Sequence, residues 1–348
     1  MMRAAVLEEI GKLRLKQVPV PEPGPGEVLV RIEANTICGT DLRIISGAKT
    51  AGVRPGVILG HEFAGRVAAV GRGVDGVPVG AQVTCSIVVS CQRCRACLSG
   101  REQLCENLVL FGYELDGGLA EYLLVPRIAM DHGNLVVLEK EIPATTLALA
   151  EPVSCCLNGA GQVAVAPGES VVVLGTGPIG LLHIALAKLA GATTILAAGR
   201  EGRLTAAINF GATCAVALTG EALTDEVRER TNGRGADVVI VAVGDLALAN
   251  QALELAAIGG RVNYFAGFPK GKTASIDPNL IHYRELAVTG GSNARRADVR
   301  RAVELLSSGA LDVGRLVTHR FPLAELDAAV TAVARRDGLK VAVMPAAG

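Results

Sequence analysis

The amino-acid sequence predicts an α/β protein in which a doubly wound parallel sheet follows a β-rich first part. Three observations carry that expectation. From about Ser170 onward, short apolar runs alternate with helical patterns that end on glycine. A glycine-rich turn, Gly175-Thr176-Gly177-Pro178-Ile179-Gly180, joins the first of those runs to the first of those helices. Before Ser170, stretches such as "EVLVRIEAN" and "GRVAAVGRGV" show β-branched alternation punctuated by Pro and Gly.

Taken in order, "PVPEPGPGE" reads as a turn-rich connection near the start rather than a linker between domains. "SVVVLG" is a buried strand, and Pro178 to Ala190 is a helix stopped by Gly191. "TTILAA" is a second strand, followed by a helix that runs to Phe210 and stops at Gly211. "CAVAL" is a third strand, Glu221 to Thr231 a helix and "ADVVIVAVG" a fourth strand. A helix over Asp245 to Ile258 stops at Gly259-Gly260, and "RVNYFAG" and "ELAVTGG" are the fifth and sixth strands. The tail holds two more helical patterns, Ala297–Ser307 and Leu323–Arg335, and a final apolar strand, "KVAVMP". A tail of that size cannot build a large core of its own, so it is expected to pack back on the first domain.

Composition narrows the functional classes. At 348 residues, with half of them hydrophobic, the chain is long enough for roughly two domains. Lys+Arg and Asp+Glu both number 34, so no general attraction to nucleic acid or to an anionic membrane is expected. The start, "MMRAAVLEEIGKLRLK", lacks the long apolar run of a secretory signal. The apolar runs further on are broken by Gly and Pro before reaching the ~20 residues of a membrane span. A cytoplasmic chain with reduced thiols follows, so its nine cysteines call for an explanation other than disulfides.

The glycine-rich turn has the residues a pyrophosphate cradle needs. Gly175 permits the tight turn, Gly177 lets backbone approach the phosphates, and Gly180 lets helix and strand pack closely. Pro178 and Ile179 open the helix, whose free N–H groups face the anion. An acid for the ribose 2′-hydroxyl is expected ~20 residues on, at the end of the second strand. That end is Ala198-Gly199, and Arg200 and Arg203 follow it. Guanidinium groups suit a 2′-phosphate through paired, charge-assisted hydrogen bonds, so the sequence predicts NADP(H) in preference to NAD(H). The competing reading is a solvated helix start with Glu201 as a displaced acid.

"CQRCRACLSGREQLC" places Cys91, Cys94, Cys97 and Cys105 in one short loop. Four thiolates close the tetrahedron of a structural Zn²⁺ and leave no open position. An iron–sulfur cluster takes the same ligands, but a single short loop beside an otherwise redox-silent domain favours zinc. Arg93, Arg95 and Arg101 stand ready to offset the thiolate charge.

Three further stretches are "ICGTDL" with Cys38, Thr40 and Asp41, "LGHEFAG" with His61 and Glu62, and "LALAEPVSCC" with Glu151. Singly, each reads as an ordinary core cysteine, a buried histidine or a surface acid. In combination with the cysteine loop and the glycine turn, the chain resembles the zinc-dependent medium-chain dehydrogenase family, in its alcohol, polyol and threonine dehydrogenase group. The resemblance runs from "PGPGEVLVRIEANTICGTDL" through "GHEFAGRVAAVG", "CQRCRACLSG" and "GGLAEYLLVP" to "AEPVSCCLNG" and "VVVLGTGPIGLL".

That resemblance implies a GroES-like catalytic domain over residues 1–152 with a structural zinc lobe, and a Rossmann NAD(P)-binding domain over 153–291. A C-terminal segment, 292–348, would return to the catalytic domain, with the active site in the cleft. Cys38 and His61 would be ligands of a catalytic zinc, Glu62 and Glu151 would alternate as its third ligand, and Thr40 would pass the substrate proton outward. Two zincs per chain are implied, one catalytic and one structural. The reaction implied is hydride transfer between a secondary alcohol and a nicotinamide, with the open zinc position lowering the pKa of the alcohol. A homodimer or homotetramer is the family habit.

Glu151 in place of a cysteine leans, by resemblance, toward polyol or sugar-like substrates. Many members carry histidine where this chain has Arg43, and arginine cannot shuttle a proton. Arg43 instead raises a phosphorylated polyol as an alternative, beside an amino alcohol oxidised with NAD. Outside the class stands a zinc-stabilised protein without catalysis. His183 and His282 are expected to be packed, and Ser292, Asn293 and Arg295 in "GGSNARR" are open candidates for ligand contact.

Overall fold

Residues 1–345, described in a computed structural model of the chain, divide into two units. One consists of Met1–Ser154 together with the chain from Asn293 onward, and the other is Cys155–Ser292. Among the described residues no helix is long and apolar enough to cross a membrane.

The first unit is built on a seven-stranded sheet. Its centre is the strand Val28–Thr36, which is buried except at Arg31 and Glu33 and pairs antiparallel with Glu62–Val70, Tyr122–Val125 and Lys340–Met344. Gln82–Cys85 and Leu135–Val137 extend the sheet on one side, and Val317–Pro322 ends it on the other. Ile32, Leu59, Phe111 and Leu123 are almost fully enclosed in its core. The tail joins that core directly. Val341 and Val343 point into it, and the helix Leu326–Arg335 adds Leu326, Ala329 and Ala332. Register matters here. Thr36 stands opposite Glu62 on one neighbour, and Ala342 stands opposite Thr36 on the other. The ends of three strands therefore meet at one place.

The second unit is a six-stranded sheet whose paired strands all run parallel. Across the sheet lie Cys214–Val216, Thr194–Ala198, Ser170–Leu174, Ala236–Val241, Ala256–Tyr264 and Ala287–Gly290. In chain order these are the third, second, first, fourth, fifth and sixth strands, the doubly wound arrangement. Ser170–Leu174 is buried along its whole length, as a strand covered on both faces must be. Helices Pro178–Leu189, Leu204–Phe210, Gly220–Arg230 and Leu248–Leu255 make the crossovers.

Several boundaries differ from the sequence reading, among them the tail pattern Leu323–Arg335, which divides into a 3₁₀ turn, Leu323–Glu325, and the helix Leu326–Arg335. The helix expected to reach Ile258 ends at Leu255, and the fifth strand already begins at Ala256. Gly259 turns with φ +73° and Gly260 fits where a Cβ would meet the Ala257 carbonyl at 2.8 Å. The pair forms a bulge inside the strand and leaves Ile258 81% exposed, so the glycines shape the strand instead of stopping the helix. The helix before Gly211 is also divided, into a short 3₁₀ turn at Glu201–Arg203 and the α-helix Leu204–Phe210.

Candidate active site

Cys38 leaves the end of the central strand and caps the helix Gly39–Ile45. Asp41, in the first turn of that helix, accepts the Cys38 N–H at 2.9 Å through Oδ2. Its other oxygen, Oδ1, lies 3.2 Å from His61 Nδ1, and both residues are buried. Neither atom has another hydrogen-bond partner among the described residues. One carboxylate thus ties the cysteine to the imidazole. Burial opposes a charge on His61, but Asp41 keeps the imidazole well above the ordinary histidine range. A proton held on Nδ1 leaves Nε2 as the atom free to bind a metal. Gly60 makes the approach to His61 possible. It turns with φ +95°, and a Cβ there would come within 2.6 Å of Asn35 Oδ1 and 2.8 Å of the Leu119 nitrogen.

Glu62 begins the next strand. Its carboxylate accepts from the Thr36 hydroxyl through Oε2 and from Lys340 Nζ at 2.6 Å through Oε1. All three residues are buried. Burial alone would lower the Lys340 pKa, but Glu62 beside it raises the value above the ordinary lysine range. Cys38, His61 and Glu62 each bring one ligand atom to a single group in which all lie within 4.8 Å of one another. Sulfur, imidazole and carboxylate together suit zinc. Glu151, in the first turn of the helix Ala150–Val163, is not part of that group of three. Its charge acts on Lys340 and on Tyr113, whose ring lies beside His61. Thr40 is half-buried, two residues beyond Cys38.

The sulfurs of Cys91, Cys94, Cys97 and Cys105 form a second group within 4.8 Å. Cys94 Sγ stands 3.5 Å from Cys97 Sγ and 3.9 Å from Cys105 Sγ. A tetrahedral zinc with ~2.3 Å bonds needs sulfurs about 3.8 Å apart, so the four fit that ion. Gln92 holds the turn between the first two cysteines at φ +58°. Backbone N–H groups aim at the sulfurs: the Arg93 N–H pulls the Cys91 thiol down to about 6, and the Cys91 and Asn107 N–H groups reach Cys105 at 3.2 and 3.3 Å. Burial pushes Cys105 up to about 12. Main-chain dipoles therefore stabilise the thiolates, a contribution that the sequence did not reveal.

In the second unit, Gly175 turns with φ +108° and Gly177 caps the helix Pro178–Leu189, with Pro178 in its first turn. A Cβ on Gly180 would overlap the Gly175 carbonyl oxygen, which is the close approach expected of the third glycine. Ile179 is half-buried in the first turn. Gly199 ends the second strand, and a Cβ there would overlap the Thr176 side chain. The space is thus occupied by the loop itself. Arg200 is exposed, and Arg203 Nη1 comes within 3.8 Å of the Cβ position of Gly177.

Comparison with known proteins agrees with both halves. Residues 24–132 match the alcohol dehydrogenase GroES-like domain and residues 178–308 match the zinc-binding dehydrogenase domain. An L-threonine 3-dehydrogenase of Pyrococcus furiosus is 37% identical over 313 residues, 88% of this chain and 87% of its own. The chain belongs to the zinc-dependent medium-chain dehydrogenase family. It is accordingly a zinc-type alcohol dehydrogenase acting on CH–OH groups of small molecules, with a nicotinamide cofactor. An L-threonine 3-dehydrogenase of Symbiobacterium thermophilum is 35% identical over 95% of this medium-chain dehydrogenase and 94% of its own length. A Sinorhizobium meliloti 1021 structure bound to NADP superposes with a TM-score of 0.91 at 36% identity, over 99% of both chains. The 2R,3R-butanediol dehydrogenase of Bacillus subtilis gives 0.89 at 28%, over 99% of this chain and 100% of that one.

Some parts of this dehydrogenase were not found from sequence. Asp41 was named but given no role, although its spacing of three from Cys38 is that of a capping box. Thr36 and Lys340 gave no local signal. His183 is packed as expected, 1% exposed and 4.6 Å from the Phe265 ring, whereas His282 is exposed on the surface of its helix. Its neighbour Tyr283 meets it edge to face there, with ring centroids 4.7 Å apart, so helix position and not burial decides its surroundings. Arg295 is held by Asp298 at 2.8 Å, and the Ser292 carbonyl accepts from Asn158 at 3.4 Å. Arg43 is exposed in the last turn of its helix.

Proposed function

We propose that this dehydrogenase oxidises a secondary alcohol carrying a neighbouring polar group, of the polyol kind, and takes NADP in preference to NAD. The overlap between a Gly199 Cβ and Thr176 carries the cofactor preference. No side chain, and so no ribose-binding acid, can stand at the end of the second strand while Thr176 holds its place. Arg200 and Arg203 supply positive charge beside that point instead. The NADP-bound relative at 36% identity is in keeping with this choice.

Cys38 and His61 would hold one zinc with Glu62 or Glu151 as the exchanging carboxylate, and the four-cysteine loop a second. The bound metal would supply Lewis acidity toward the alcohol oxygen, and the nicotinamide a hydride acceptor. The chain's own residues do the rest. Asp41 fixes the imidazole tautomer, Thr36 and Lys340 hold the Glu62 carboxylate, and the Thr40 hydroxyl takes the substrate proton toward solvent. A 3-hydroxy amino acid is the second reading for the substrate, favoured by the L-threonine 3-dehydrogenases among the relatives. A chain that assembles as a homodimer or homotetramer completes the proposal.

The test is kcat/KM with both cofactors over a panel of polyols, phosphorylated polyols and amino alcohols. NADP is expected to exceed NAD, and the double variant Arg200→Ala/Arg203→Ala to lose about 10–100-fold with NADP alone. A preference for NAD in the unmodified enzyme would refute the assignment.

A further inference from the structure

Beyond Cys38 the chain turns back on itself, and the Lys49 N–H closes the turn on the Arg43 carbonyl at 2.9 Å. This places the Lys49 ammonium 5.3 Å from the centroid of the Tyr113 ring. The same ring has His61 as its neighbour, with centroids 5.5 Å apart and planes inclined by 52°. Tyr113 is 6% exposed, and the charges of His61, Asp41, Cys38 and Glu151 all act on its phenol. One buried aromatic ring therefore borders both the metal-binding group and a half-buried cation.

That cation is not spoken for by the protein. Among the described residues no carboxylate lies within ion-pair distance of Lys49. The acids on the neighbouring loop form no ion pair with it, although Glu114 Oε1 faces Gly52 in the same turn. Glu114 accepts the Leu110 N–H at 2.9 Å, and Asp116 takes Arg54 at 2.7 Å and the Ile58 N–H at 3.0 Å. The ring face attracts the ammonium but leaves its N–H donors unused. A half-buried cation with unused donors, one ring away from the candidate metal-binding group, is matched to an anion brought in by the substrate.

We propose that Lys49 is a specificity-determining residue whose ammonium receives an anionic group, carboxylate or phosphate, carried on the substrate a few bonds from the reacting carbinol carbon. This deepens the reading given above and rests on it. The neutral polyol then becomes the poorer member of the substrate class and its acidic counterpart the better one.

The experiment uses the zinc-loaded full chain and matched substrates: L-threonine against L-threonine amide, 3-hydroxybutyrate against 1,3-butanediol, and 2-hydroxypropyl phosphate against 1,2-propanediol. In at least one pair the anionic member is expected to lead by about 10–100-fold in kcat/KM. Lys49→Met should erase that lead through KM, with kcat and the neutral member within about twofold of the unmodified enzyme, and Lys49→Arg should restore part of it. The leading pair tells carboxylate from phosphate. The inference is overturned if neutral members do as well as anionic ones in the unmodified enzyme, a result that needs no variant to fold. It is also overturned if Lys49→Met depresses both members of a pair equally. In either case turnover itself leaves the dehydrogenase reading standing. Absence of turnover with every alcohol and both cofactors would remove that reading first, and this one with it.

Discussion

Gly199 and Thr176 make a single steric contact on which the proposed cofactor preference rests. The Thr176 side chain fills the volume into which any residue at 199 would project, with its Cβ only 2.8 Å from an added Cβ. Gly199→Asp alone is expected to overpack this contact and lower stability by about 1–3 kcal/mol. Combined with Thr176→Gly, the aspartate finds room, melting temperature recovers, and kcat/KM shifts toward NAD. Calorimetry together with kinetics on the two variants checks both halves, and a stable, NADP-selective single variant would contradict the steric argument. At this scale the sequence revealed the exchange of an acid for glycine and two arginines, but not its steric cause. Thr176 and Gly199 lie in different elements and come together only when the strand and the glycine turn are folded. Lys340 is the stronger case. It lies 278 residues from Glu62, and in the sequence it is one lysine before an apolar strand. Only sheet register brings it to a buried carboxylate.

At the scale of elements, the short cysteine loop behaves as a device of its own, tied to the rest of its unit at named points. Glu102 within it accepts the Arg296 N–H at 3.0 Å from the start of the helix Arg296–Ser307. Cys97→Ser is expected to remove one zinc per chain and to raise amide exchange across the loop and the first turn of that helix. On the proposed two-zinc reading, the group of Cys38, His61 and Glu62 should keep its metal, so the count falls to one and not to zero. Elemental analysis with hydrogen exchange decides this, and loss of both metals would show the two sites to be coupled. His61→Ala should give the converse result, a folded loop with hydride transfer largely lost. Most elements of the second unit were legible because their signals are local: apolar run, glycine turn, helix, glycine stop. The exception was the Leu255 helix end. There the same Gly259-Gly260 signal that stops helices elsewhere serves a bulge, and periodicity over so short an apolar run cannot separate the two.

For the molecule as a whole, acid sensitivity follows from one enclosed side chain. His183 is fully buried against Phe265, and burial pulls its pKa down from 6.5 to about 3. A histidine that is neutral when folded contributes its full share of stability above 6.5. That share is lost as pH falls from there toward about 3, because only the unfolded chain takes up the proton. The slope is about 1.4 kcal/mol per pH unit. Urea unfolding between about pH 6 and pH 4 should show it, and His183→Leu should flatten it. An unchanged slope in the variant would assign the effect to other groups. Fold class was readable at this scale because alternation and composition are properties of the whole chain.

The last-made strand of the chain closes the oldest part of the sheet. While a ribosome is still supplying residues, Thr36, Cys38 and Glu62 emerge early, yet the lysine that neutralises Glu62 comes 278 residues after it. Until then the carboxylate must remain hydrated and its surroundings open, while the intervening unit has every strand it needs to fold first. Completion of the sheet that carries the candidate metal-binding group therefore waits for the strand Lys340–Met344, however early the rest of that sheet is available.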